Sequence, residues 1–129
     1  MALRCLIVDD NLEFGSAARL VLEEGGLVVV GIATSSDEAV RHVEELQPDL
    51  ALLDINLGAE SGFDVALRLA EMPHAGNAPA MIFISTDDGA EYADLITASP
   101  ALGFVPKTGL SAQAIRAMLA DGNGPAASG

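Results

Sequence analysis

A chain of 129 residues, half of them apolar, fits one domain with a substantial core and is too apolar to stay disordered. Its formal charge of −13, from 19 acidic and 6 basic side chains, repels phosphate backbones and argues against direct nucleic-acid binding. No apolar run approaches the roughly 20 residues of a membrane span, and no signal-peptide pattern opens the chain, so the expected location is the cytoplasm, away from membranes.

The first apolar run, Leu3 to Val8, has the length and β-branched content of a buried strand, and its Cys5 reads as a packed core thiol in a reducing compartment. Asp9-Asp10-Asn11 follows it. Phe14, Ala18, Val21 and Leu22 then mark a helix closed by Gly25-Gly26. Leu27 to Ala33 is a second strand. Ser35-x-x-Glu38 has capping-box form ahead of a helix carrying Ala39, Val43 and Leu46, which Pro48 cannot extend. The third strand, Leu50 to Leu53, runs into Asp54. Ser61-x-x-Asp64 opens a third helix with Phe63, Ala66 and either Leu69 or Ala70 inward.

Ala80 to Ile84 is the fourth strand, followed by Ser85-Thr86. Asp88-x-x-Glu91 caps a short helix over about residues 89–98, before Pro100. Leu102 to Val105 is the fifth strand, followed by Pro106 and Lys107, the only lysine. Ser111 can cap the last helix while Leu110 staples onto Ile115. The domain is expected over residues 1–120. The small, polar residues 121–129 are expected to form a disordered tail.

Strand and helix alternate five times, which predicts an α/β fold: a doubly wound, five-stranded parallel sheet with right-handed crossovers and five flanking helices. Function in such sheets gathers beyond the carboxyl ends of the strands. Asp9, Asp10, Asp54, Ser85 and Lys107 all fall there. Three close carboxylates repel one another unless compensated. Mg²⁺, which prefers oxygen ligands and few carboxylates, would supply that compensation, and Lys107 adds a second positive charge.

The segments LIVDDN, LALLDINLGAESGFD, MIFIST and GFVPK resemble, in that order, the receiver domain of two-component response regulators. The resemblance spans Leu3 to about Ala120. It implies a flavodoxin-like sheet of order 2-1-3-4-5, an order also known from a receiver of this family. It further implies that Asp54 accepts a phosphoryl group from a sensor histidine kinase, a phosphotransfer protein or a small phosphodonor. Asp10, Asp54 and the backbone carbonyl of Asn56 would ligate Mg²⁺ directly, and Asp9 through water. Lys107 would pair with the acceptor and then with phosphoryl oxygens. Ser85 would hydrogen-bond the phosphoryl group, and Phe104 would follow that movement as the second switch residue. The output would be a changed surface on the fourth helix, fifth strand and fifth helix, read by a downstream effector protein or domain. The chain would be no enzyme toward separate substrates, only accepting the group and slowly hydrolysing it.

Some positions depart from the family pattern. Thr108 replaces the usual proline after the lysine and Pro106 precedes it, so a cis Lys107–Thr108 bond is not expected. Thr86 stands where a smaller residue is common and could narrow access for the hydrolytic water. Gly58 replaces a frequent proline, with no foreseen consequence. The charge pairs of one dimerising subfamily are missing, leaving at most a weak homodimer. Among alternatives, an aspartyl-nucleophile Mg²⁺ phosphatase usually needs a second acid where Asn56 stands. A flavin or nucleotide carrier would place phosphate against Asp9-Asp10. A phosphorylation-independent docking module would not need the intact acidic set and Lys107. Both a free-standing receiver and a piece of a longer regulator remain open.

Overall fold

The computed structural model describes residues 3–73, 78–86 and 90–128. Five strands form one parallel sheet: β1 (Arg4–Val8), β2 (Val28–Ala33), β3 (Leu50–Asp54), β4 (Ala80–Ser85) and β5 (Gly103–Pro106). Their order is β2-β1-β3-β4-β5, the doubly wound arrangement expected, with the sense of crossover reversing at β1. The helices are α1 (Leu12–Glu24), α2 (Ser36–Leu46), α3 (Gly62–Glu71), α4 (Ala93–Ala98) and α5 (Ala112–Ser128).

The central strands read as continuous apolar runs because helices cover both of their faces. Alternate residues go to opposite sides. Leu6, Val8, Ala51, Leu53, Met81 and Phe83 join the cluster under α2 and α3. Cys5, Ile7, Leu50, Leu52, Ile82 and Ile84 join the cluster shared with Ala18, Leu22 and Ile115 of α1 and α5. Each fully buried Leu, Ile, Val or Phe contributes about 1.5–3 kcal/mol, so the sheet's centre is the rigid part of the molecule. Burial pushes the Cys5 thiol up to about 12, as befits an inert core thiol.

Helix α1 departs from the spacing read in the sequence. Its inward residues are Gly15, Ala18 and Leu22, whereas Val21 is 44% exposed. A Cβ at Gly15 would lie 3.2 Å from the Ile32 side chain, so the smallest residue sits where the helix approaches β2 most closely. In α3, Leu69 is buried and Ala70 faces out. The capping motifs form in altered versions. Ser35 accepts from Glu38 N as expected, but the Glu38 carboxylate turns back to Thr34 N rather than to the cap. Ser61 accepts from Phe63 N, and Ser111 from Ala114 N. Leu110 and Ile115 do pack in one cluster.

A short antiparallel hairpin, Asn56–Leu57 with Glu60–Ser61, links β3 to α3 and was not foreseen. It turns at Gly58, whose φ of +62° explains the glycine. Glu60 carries the hairpin's contact to α2, accepting from Ser36 N and Ser36 Oγ, while Arg68 bridges Ser36 and Asp37. Helix α4 is six residues long, has no buried residue and follows a 3₁₀ turn over Ala90–Tyr92, which makes it the least anchored helix described. The proposed Asp88 cap lies outside the described residues. Helical backbone continues to Ser128, past the expected tail boundary, and the side chains of 121–129 lie outside the described set. No cis peptide occurs among the described residues.

Candidate functional site

Because neighbouring strands run in parallel and in register, β1, β3, β4 and β5 deliver their carboxyl-end residues to one edge. Asp54 is the last residue of β3 and lies beside Ile84; Ser85, the last of β4, lies beside Pro106, and Lys107 follows. Asp9 directly follows β1, its N–H donating to Ala33 O. Every residue expected at this edge from the sequence is there.

The carboxylates differ in environment. Asp9 is fully buried, Asp54 is 6% exposed and Asp10 faces solvent, yet one oxygen from each falls within 4.8 Å of the others. Lys107 Nζ lies 2.7 Å from Asp9 Oδ2 and 3.3 Å from Asp54 Oδ2. The second oxygens are held by the main chain: Asn11 N donates to Asp9 Oδ1 at 2.9 Å and Asn56 N to Asp54 Oδ1 at 3.1 Å. Asp9 Oδ2 meets the Lys107 ammonium as an ion pair and has no hydrogen bond to any other group. A carboxylate oxygen with one such partner keeps a lone pair for a cation or water.

Burial pushes the Asp54 carboxyl up to about 6, against the Asn56 N–H that lowers it; the Asp9 charge raises it further and Lys107 draws it back. For Lys107, burial alone would favour the neutral amine, but Asp9 and Asp54 together outweigh it and hold the ammonium above its usual range. One lysine therefore leaves the acidic set under-compensated. Three converging carboxylate oxygens, with an exposed Asp10 on the open side, fit a hard divalent cation. Gly58 contributes space here: a Cβ on it would lie 3.2 Å from Asp10 Oδ2, so the glycine in place of the family's frequent proline borders the site.

Other contributions were missed in the sequence. Asn11 caps α1, accepting from Phe14 N at 3.1 Å; its place before Leu12-Glu13-Phe14 was the available signal. Phe14 lies under Lys107, with Nζ 4.3 Å from the ring centroid. Gly62 passes against the end of β3 so closely that a Cβ would come within 2.1 Å of Asp54 O. Ser85 is buried. Phe104 is half-buried beside Phe83 and packs on the cluster under α2 and α3.

The fold and this edge define a flavodoxin-like α/β protein with a lysine-closed acidic site. The profile of the response regulator receiver domain matches residues 5–120, and the chain belongs to that family. A putative transcriptional regulator of Pseudomonas aeruginosa is 32% identical over 104 residues, covering 81% of this chain and 49% of the relative. The sensory transduction protein LytT of Bacillus subtilis is 34% identical over 106 residues, covering 81% and 42% respectively. The chain thus spans about half or less of the length of these relatives. Among solved structures, the signal receiver domain of a modulated diguanylate cyclase from Desulfovibrio desulfuricans superimposes with a TM-score of 0.74. That domain is 32% identical, with 92% of this chain and 91% of the other covered.

Proposed function

We propose that the chain is a phosphorylation-gated switch in which Asp54 accepts a phosphoryl group from a sensor histidine kinase, a phosphotransfer protein or a small phosphodonor. The observation that carries this reading is the Asp54 carboxylate between Lys107 Nζ at 3.3 Å and the oxygens of Asp9 and Asp10. Asp10, Asp54 and the Asn56 carbonyl would hold Mg²⁺, with Asp9 behind a water. When bound, the ion supplies neutralisation of phosphoryl and carboxylate oxygens.

The chain's own residues do the rest. An Asp54 oxygen attacks the phosphorus of a phosphohistidine; the new O–P bond forms as the P–N bond breaks, and the imidazole leaves with the electron pair. Lys107, kept as an ammonium by Asp9 and Asp54, moves its charge onto the incoming oxygens, as a loose transition state requires. Ser85 donates its hydroxyl to the bound group. Its displacement draws Thr86 with it, and Phe104 turns into the vacated space. Helix α4 responds because it has no buried residue to anchor it. Water later hydrolyses the acyl phosphate, with exposed Thr86 beside its path.

The α4–β5–α5 face would then present two shapes to an effector protein or domain. The acidic surface makes direct nucleic-acid contact by this domain unfavourable. Among the described residues no helix is long and apolar enough to cross a membrane, and we place the protein in the cytoplasm. The chain acts on itself rather than on a separate substrate. A charge-assisted hydrogen bond from Ser85 contributes about 1.5–3 kcal/mol, a tenfold to hundredfold bias between two states.

Backbone amide NMR with Mg²⁺ and beryllofluoride, a phosphoryl mimic, tests the switch. Shifts should spread from Asp54 to Tyr92 and Phe104 in the wild type, and shrink at Tyr92 and Phe104 in Ser85→Ala. Full wild-type shifts in Ser85→Ala would refute this coupling.

A further inference from the structure

Lys107 has two jobs in the mechanism above, and the resting site favours the wrong one. Its ammonium is nearer to Asp9, at 2.7 Å, than to the acceptor Asp54, at 3.3 Å. To reach phosphoryl oxygens it must loosen from Asp9 without swinging into water. The third neighbour of the ammonium is the face of Phe14, 4.3 Å from Nζ to the ring centroid. A ring face attracts a cation through its quadrupole, yet has no lone pair to bind a proton and imposes little direction. Such a partner can hold a charge in place while its carboxylate partners change.

The ring is placed by the site itself. Asp9 Oδ1 accepts from Asn11 N, Asn11 Oδ1 accepts from Phe14 N, and Lys107 closes the circuit on Asp9 Oδ2. Phe14 thereby lies in the first turn of α1 and packs partly on the cluster of α1 and α5, which fixes it from behind. The Lys107 side chain is only 10% exposed, and desolvation strengthens a cation–π contact.

We propose that Phe14 is a positioning residue for Lys107, its ring face holding the ammonium at the mouth of the site so that it transfers from Asp9 to the phosphoryl oxygens. The proposal rests on the reading of Asp54 as phosphoacceptor for its functional half only; the contact exists in the resting, metal-free protein.

Lys107 is the single lysine of the sequence, so ¹⁵N-lysine labelling gives one ammonium signal with no assignment problem. In metal-free protein, exchange of that ammonium with water should quicken in Phe14→Leu. It should also rise stepwise when Phe14 is replaced by mono-, di- and trifluorophenylalanine, which weaken the ring face with little change of shape. Phe14→Tyr should stay close to wild type. With Mg²⁺ and phosphoramidate, phosphorylation should slow about twofold to thirtyfold in Phe14→Leu and follow the same order through the fluorinated series. Exchange that is flat across the fluorinated series overturns the proposal. Graded exchange with an unchanged phosphorylation rate overturns its functional half. A wild type that shows the graded exchange but never takes up phosphoryl refutes the acceptor reading instead.

Discussion

Asp54→Asn removes a buried charge while keeping the side chain's shape, and should stabilise the metal-free protein. The folded-state pKa of Asp54 is pushed from 3.8 to about 6, chiefly by burial. Because the folded value lies above the unfolded one, the native state prefers the protonated acid. Stability is intact below pH about 4, falls as pH rises through about 6 and stays low above it. A displacement of that size corresponds to about 3 kcal/mol. Urea unfolding in EDTA measures it: with an m-value of about 1–3 kcal/mol per M, the Asp54→Asn midpoint at pH 7.5 should exceed wild type by roughly 1 M or more. The gap should close near pH 4, where the wild-type carboxyl is itself neutral. Added Mg²⁺ should narrow it at pH 7.5 by stabilising the wild type selectively. Equal midpoints at pH 7.5, or a gap that does not change with pH, would refute the claim that the acceptor is held in an unfavourable charged state.

Asp9 and Asp10 should separate in two assays. Asp9→Ala takes the nearer carboxylate from the buried Lys107 but leaves it Asp54, so it should lower the melting temperature more than Asp10→Ala, by less than the about 3–5 kcal/mol of a fully broken buried pair. Asp10→Ala should lose more Mg²⁺ affinity by calorimetric titration, because Asp10 is the solvent-facing carboxylate of the set and the proposed direct ligand. Gly62→Ala puts a methyl 2.1 Å from Asp54 O and should destabilise by at least about 1–3 kcal/mol in urea, with phosphorylation slowed as the acceptor strand shifts.

The sheet was legible because five apolar runs, the central three buried on both faces, carry a strong signal and leave their order to few topologies. The acidic pair, Asp54, Ser85 and Lys107 were legible for a related reason: each directly follows such a run, and strand ends share an edge. What escaped depended on contacts between distant parts of the chain. Phe14 reads as an ordinary helix-face aromatic until β5 brings Lys107 over it. Val21 and Leu22 both fit the α1 spacing, but the face that meets β2 at Gly15 buries Leu22 and leaves Val21 half-exposed. The strands Asn56–Leu57 and Glu60–Ser61 are too short for any periodicity, so the hairpin and the Glu60 contact with α2 left no trace. Gly62 looked like an ordinary residue beside a cap, although its missing side chain is what lets α3 start against Asp54.

The central claim is that Asp54 is the phosphoacceptor, and intact-mass measurement after incubation with acetyl phosphate and Mg²⁺ tests it most directly. The wild type should gain the mass of one phosphoryl group, lose it on alkaline hydrolysis as an acyl phosphate does, and fail to gain it in EDTA; Asp54→Ala should gain nothing. Unlabelled wild type, or Asp54→Ala labelled to the same extent, would contradict the account.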